Sequence, residues 1–338
     1  MSQSEALTYV RGTGSYAPEK ILTNDDLSRI VDTTDDWIVT RTGIRERRIA
    51  ADDEATSDMA VKAGRAAMEM AGVGPEEIDA LIIATLTPDM MFPSTGCLVQ
   101  HELGLGPIPA FDVDAACSGF VYGLEVARGL LLANPRYRNV LLVGAEKLSS
   151  IIDWRDRSTC VLFGDGAGAV VLSRDNGNGG APLLGVSLGA DGRSAPLIHM
   201  PGGGSRVPAS SASVEAGQHY LKMNGREVFK LAVRAMVKSA RHILDQCGVP
   251  IEEVGCVIPH QANIRIIESV ASHLKLPLEI FPNNVQFYGN TSAASVPLAL
   301  DEAIRNGHVS DGDYVLMIAF GAGLTWGSTL MKWHPPKP

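Results

Sequence analysis

The chain has 338 residues, 45% of them hydrophobic and 20% charged, an ordinary balance for a soluble globular protein long enough to bury one large core or two modest ones. Its 29 basic residues against 38 acidic ones give a net charge of −9, which argues against sequence-independent attraction to nucleic acid or to an anionic membrane. Cys97, Cys117, Cys160, Cys247 and Cys256 show no C-x-x-C spacing, so neither a disulfide framework nor a metal site is expected.

From the N-terminus, MSQSEALTYV lacks a basic region followed by an apolar stretch. No uninterrupted apolar run approaches the roughly 18 to 20 residues that cross a bilayer, so a cytoplasmic location is expected. DDWIVTRTGIRERRI, with Trp37 and Arg41, reads either as a solvated basic loop or as a ligand-contacting surface. SDMAVKAGRAAMEMAG has helical spacing, and ALIIATL after it reads as a strand apolar on both faces. GFVYGLEVARGLLLAN and VLLVGA repeat the pair, which predicts an α/β sheet covered on both faces by helices.

FDVDAACSGF, residues 111–120, places Cys117 where an extended run meets a helix start. The thiol is either a small core hydrophobe or a nucleophile whose ionised form the helix N-terminus favours, below the free value of about 8.5. GDGAGAVVL continues into a β-like run, so it is no dinucleotide fingerprint, and PGGGSR lacks the Lys-Ser or Lys-Thr of a phosphate loop. Residues 173–218, rich in Gly, Ser and Pro, predict surface loops.

The later half repeats the earlier one. AGVGPEEIDALII lies over CGVPIEEVGCVIP at a shift of 248 − 72 = 176, and VLLVGAE lies over VLMIAFG at 315 − 140 = 175. Two halves, 1–175 and 176–338, then pack about a pseudo-dyad, and the helix starts near Cys117 and Asn290 become mates meeting in a buried centre. In PHQAN, His260 and Asn263 fall just past a strand end, the usual place for ligand-facing residues in such sheets. Asn290 in FYGNTSAAS is either an N-cap or a side-chain donor. The turn Gly321-Ala322-Gly323 is either plain or aims amide groups into a cavity.

Together FDVDAACSGF, PHQANIRI, YGNTSAASVPLAL, FGAGLTWGS, DDWIVTRTGIRERRI and FGDGAGAVVL resemble the β-ketoacyl-acyl-carrier-protein synthase III family of thiolase-fold condensing enzymes over nearly the whole chain. The resemblance implies a five-layered αβαβα fold of two duplicated βαβαβαββ halves. It implies that Cys117 takes an acyl group from a short acyl-CoA and that His260 and Asn290 assist decarboxylation of malonyl-acyl-carrier protein. The amides of Cys117 and Ala322 would form the oxyanion hole. CoA contacts would fall to Trp37, Arg41, Arg157, Phe229 and Asn263, carrier docking to Lys230 and Arg265, and the acyl pocket of a homodimer partner to Phe92. No cofactor is implied beyond the CoA thioester as substrate, and no nucleic acid or membrane partner. The chain departs from the family's frequent Gly-Gly-Gly-Phe at Gly321-Ala322-Gly323-Leu324. The alternatives are a starter-unit acyltransferase or condensing enzyme of polyketide metabolism, or a cysteine thioester hydrolase.

Overall fold

The structure, a computed structural model, describes residues 8–175 and 179–335. The heptapeptide MSQSEAL and residue 176, where the second half was expected to begin, lie outside the described residues. Nine strands form one sheet: β1 (Thr8–Tyr16), β2 (Ala80–Ala84), β3 (Ala110–Val113), β4 (Asn139–Glu146), β5 (Gly166–Ser173), β6 (Ala181–Ala190), β7 (Val254–Pro259), β8 (Tyr314–Gly321) and β9 (Thr325–Lys332). Their order is β7-β8-β9-β6-β1-β5-β4-β2-β3. Outward from the middle, β1-β5-β4-β2 and β6-β9-β8-β7 follow the same plan. The two halves join where Thr8–Val10 pairs antiparallel with Ala181–Leu183.

β2 and β4 are parallel and every residue in them is buried, as strands with helices on both faces must be. The helices of eight residues or more are α1 (Asp35–Thr42), α2 (Thr56–Ala71), α3 (Thr95–Glu102), α4 (Gly119–Ala133), α5 (Gly225–Cys247), α6 (Ile264–Leu274) and α7 (Ser295–Arg305). Met59, Ala63 and Ala67 recur at four-residue spacing along α2 and bury with Leu103 and β-strand residues of the first half. α5 and α6 do the same for the second half through Ala232, Met236, Ile267 and Val270. α4 and α7 lie between the halves, where Phe120, Val121, Leu124, Val296 and Leu300 share one core with strands of both. Each large apolar side chain fully buried there contributes about 1.5–3 kcal/mol.

The repeat is written in backbone angles. Gly72 (φ +62°) ends α2 and Gly248 (φ +66°) ends α5 in the left-handed conformation, 176 residues apart. Ala116 (φ +47°) and Ser292 (φ +49°) hold another such pair at the turns before α4 and α7.

Ala116–Ala133 averages a hydropathy of 1.3 over 18 residues, enough by length and composition to cross a membrane, although Glu125 and Arg128 interrupt the apolar run. The segment is apolar because it is the middle layer of five, packed on both sheet halves.

Candidate active site

After β3, Asp114 Oδ1 accepts the Ala116 N–H at 3.0 Å, and the positive φ of Ala116 swings the chain into a short 3₁₀ turn, Ala116–Ser118, that leads into α4. The end of β8 packs directly behind this turn. A β-carbon on Gly321 would lie 2.7 Å from Cys117 N and 3.0 Å from Ser118 N, an approach only glycine permits. Thr325 Oγ1 lies 2.9 Å from the carbonyl oxygens of both Ala115 and Ala322 and accepts the Ser118 hydroxyl at 2.7 Å. Thus the Cys117 turn of one half and the Gly321–Gly323 turn of the other are stitched together.

His260 follows the C-terminal end of β7, and its N–H continues the parallel ladder to Ile318 O at 2.8 Å. Its Nδ1 is 2.6 Å from Ser295 Oγ, at the start of α7. Ser295 Oγ also accepts Gln261 N–H at 3.4 Å, which leaves the hydroxyl hydrogen for Nδ1. With that hydrogen donated to Nδ1, the imidazole proton is carried by Nε2. Asn290 is fixed on both sides of its backbone, donating to Leu162 O at 2.8 Å and accepting from Gly164 N–H at 3.1 Å. Its Oδ1 takes Ser292 N–H at 2.8 Å, and its Nδ2 has no protein partner among the described residues. Beneath residues 161–164 lies the fully buried Arg47, which donates to Val161 O, Leu22 O and Asn24 Oδ1. A solvated loop is therefore the wrong description of Arg47.

Cys117, His260 and Asn290 line one cavity of about 540 Å³, together with Ala322, Phe229 and Asn263. Leu148, Ile151, Val228, Met236 and Phe320 make much of the remaining wall apolar. Burial pushes the His260 pKa down to about 3, so the imidazole is neutral and Nε2–H is a donor. Burial also pushes the Cys117 thiol up to about 12, against the lowered value expected of a helix start. The loss of hydration outweighs the local donors, and the Glu146 and Asp114 carboxylates add repulsion. Glu146, at the end of β4, is itself fully buried and raised to about 7, chiefly by burial.

Nearer the surface, Trp37 on α1 is flanked by Arg41 at 4.5 Å and Arg157 at 4.7 Å from its ring centre. An adenine plate between Trp37 and Arg157 needs about 7 Å, two contacts of roughly 3.5 Å. The expected sandwich is closed here by Arg157 itself, which donates to Asp32 O at 2.7 Å. Asn263 lines the cavity, but its side chain caps α6 through Arg265 N–H at 2.8 Å and donates to Arg41 O at 3.1 Å, tying α1 to α6. Lys230 and Arg265 are exposed, and Lys230 pairs with Glu227 at 2.9 Å. Lys230 lines a groove with Arg234, Lys238, Arg241, His242 and His273; Arg265 stands outside its lining. Phe92 is 84% exposed beside Met91 at 79%. Among the described residues no cluster of His, Cys, Asp and Glu could hold a metal.

Sequence reasoning missed Glu146, Ser292, Ser295, Thr325 and the basic residues beyond Lys230 on α5. Only the last left a signal, since Lys230, Arg234, Lys238 and Arg241 recur at helical spacing.

Residues 111–192 match the family model of 3-oxoacyl-[acyl-carrier-protein (ACP)] synthase III, and residues 244–333 match that of its C-terminal region. The beta-ketoacyl-[acyl-carrier-protein] synthase III of Caldanaerobacter subterraneus subsp. tengcongensis is 54% identical over 325 residues, 96% of this chain and 97% of that protein. The crystal structure of 3-oxoacyl-[acyl-carrier-protein] synthase III from Aquifex aeolicus VF5 superposes with a TM-score of 0.88 at 49% identity, covering 96% of this chain and all of that one. The corresponding Pseudomonas aeruginosa PAO1 enzyme gives 0.90 at 42% identity, covering 98% and 100%. A doubled five-layer α/β fold, a buried cavity lined by thiol, imidazole and carboxamide, and identities of this size over the whole length lead to one conclusion: this chain belongs to the β-ketoacyl-acyl-carrier-protein synthase III family of thiolase-fold condensing acyltransferases.

Proposed function

We propose that this chain condenses a short acyl-CoA, acetyl-CoA first among the candidates, with malonyl-acyl-carrier protein to give 3-ketoacyl-acyl-carrier protein, the step that starts a fatty acid chain. It does so as a cytoplasmic homodimer with no metal or organic cofactor, its lobes dividing near residues 175 and 176. The observation that carries the reading is the convergence of Cys117 from one half with His260 and Asn290 from the other on a single cavity.

Cys117 attacks the thioester carbonyl and displaces CoA, and the oxyanion is held by the amides of Cys117 and Ala322. An alanine at 322 keeps its N–H, so the contact survives the departure from glycine. When malonyl thioester loses carbon dioxide, charge moves to its carbonyl oxygen. The neutral Nε2–H of His260 and the Nδ2–H of Asn290 stabilise that enolate without protonating its carbon, which then attacks the acyl-cysteine. The apolar wall limits water, so the acyl-enzyme survives until the second substrate arrives.

Trp37, Arg41 and Arg157 serve the nucleotide end of CoA, with Arg157 moving off the indole to admit the base, and Asn263 holding Arg41 in place. Phe229 borders the pantetheine channel. Lys230 and Arg265, joined by the α5 stripe, dock the acidic carrier, and Phe92 reaches the partner subunit's acyl pocket.

Incubation with acetyl-CoA followed by mass spectrometry is expected to find an acetyl group on the Cys117 peptide and none in Cys117→Ala. His260→Ala and Asn290→Ala are expected to keep acetyl loading while losing malonyl decarboxylation by about a hundredfold or more. Absence of the acetyl mass, or equal loss of both half-reactions in either variant, refutes the assignment. Release of free acid in place of 3-ketoacyl product would make the protein a hydrolase.

A further inference from the structure

Thr325 takes no part in the reaction proposed above, yet its hydroxyl stands where the Cys117 turn and the Gly321–Gly323 turn meet. It opens β9, opposite Gly321 of β8 on one side and Ala190 of β6 on the other, so pairing fixes its backbone at both edges. Its methyl group packs under Gly323, where a β-carbon would stand 2.9 Å from Cγ2, and the branched side chain is thereby held in one rotamer. That rotamer puts Oγ1 on the cavity wall, 2.7 Å from Ser118 Oγ and 2.9 Å from each of Ala115 O and Ala322 O.

The two carbonyls depend on this hydroxyl unequally. Ala115 O has other donors, Ser118 N–H at 3.2 Å and Ser118 Oγ at 2.8 Å. Among the described residues Ala322 O has no protein donor but Thr325. Each carbonyl also sits one peptide away from an amide of interest: Ala115 O on the peptide before the one that carries Cys117 N–H, Ala322 O on the peptide after the one that carries Ala322 N–H.

On the reading that the amides of Cys117 and Ala322 hold the oxyanion, we propose that Thr325 is the positioning residue that sets the spacing of those two donors. They come from opposite halves of the chain, so no hydrogen bond within either turn fixes their separation. Gly321, lacking a β-carbon, lets the turns close up. The Thr325 hydroxyl, in reach of a carbonyl on each, sets how far. Charge in an acyl transfer develops at one oxygen, and a donor misplaced by about 1 Å costs on the order of a hundredfold in rate.

The test is single-turnover acetylation of Cys117 by acetyl-CoA in the full-length protein, read by mass, beside decarboxylation of malonyl-carrier protein without acyl-CoA. Thr325→Val exchanges the hydroxyl for a methyl of similar size. It is expected to lower the maximal acetylation rate at least about tenfold while the half-saturating acetyl-CoA concentration moves less than about twofold. Decarboxylation, which draws on His260 and Asn290, is expected to stay within about twofold of wild type. Thr325→Ser, which restores the hydroxyl, is expected to recover most of the loading rate. Ser118→Ala is expected to cost less than Thr325→Val, because Thr325 then still reaches Ala322 O. Wild-type loading by Thr325→Val, an effect on half-saturation alone, an equal loss of decarboxylation, no recovery in Thr325→Ser, or a loss in Ser118→Ala as deep as in Thr325→Val each overturns the proposal. If Thr325→Val does not fold, Thr325→Ala, which removes the hydroxyl without adding bulk, goes through the same comparison. Wild-type protein that takes no acetyl group on Cys117 overturns the underlying reading instead.

Discussion

A β-carbon at residue 321 would meet the Ala115 carbonyl oxygen at 3.1 Å as well as the Cys117 amide, and both are backbone atoms that cannot step aside. Gly321→Ala is expected to cost about 1–3 kcal/mol of stability and to cut acetyl loading at least tenfold, by urea unfolding and single-turnover acetylation. His260 gives a prediction with a definite sign. Its folded pKa lies near 3, below the ordinary 6.5, so the unfolded chain binds the extra proton between those values and folding loses stability as pH falls below 6.5. The stability advantage of wild type over His260→Asn is expected to shrink by about 2 kcal/mol between pH 7 and pH 5. Cys117 and His260 could be found in the sequence because they stand at element ends, where α/β sheets present chemistry. Glu146 could not. At the end of VLLVGAE it reads as a solvated strand terminus, and only the loop at Thr85–Thr87 and the start of α7, remote in sequence, bury it.

Along α5, Lys230, Arg234, Lys238 and Arg241 put four cations on one face of a chain whose net charge is −9. On the proposed reading, an acidic carrier would be steered to such a stripe by fields that salt screens within about 10 Å. Arg234→Glu combined with Lys238→Glu is expected to raise KM for malonyl-carrier protein about tenfold and to leave acetyl loading from CoA unchanged; the wild-type KM should rise with salt where that of the variant does not. Periodicity made α2, α4, β2 and β4 legible, because each buries residues at the spacing its backbone imposes. It did not reveal that Arg157 rests on Trp37, because stacking depends on how α1 meets the short helix Arg157–Cys160, more than a hundred residues away.

The match at a shift of 176 disclosed the doubled plan of the molecule, and the mirrored strand order bears it out. What the sequence left hidden is that β1 and β6 knit both halves into a single nine-stranded sheet. That sheet ends at β3, a short, half-buried edge that natural proteins leave bare only rarely, and the exposed Met91 and Phe92 are close to it in the chain. Light scattering is expected to give twice the chain mass, and Phe92→Ser to weaken that association. The closure between Cys117 and Gly321 reaches further still. Since the Cys117 amide leans on a strand from the opposite lobe, any parting of the lobes is expected to unseat the Cys117 sulfur before a single helix melts. Turnover thus becomes a gauge of interlobe fit, and in rising urea it should fade while circular dichroism still reports an intact secondary structure.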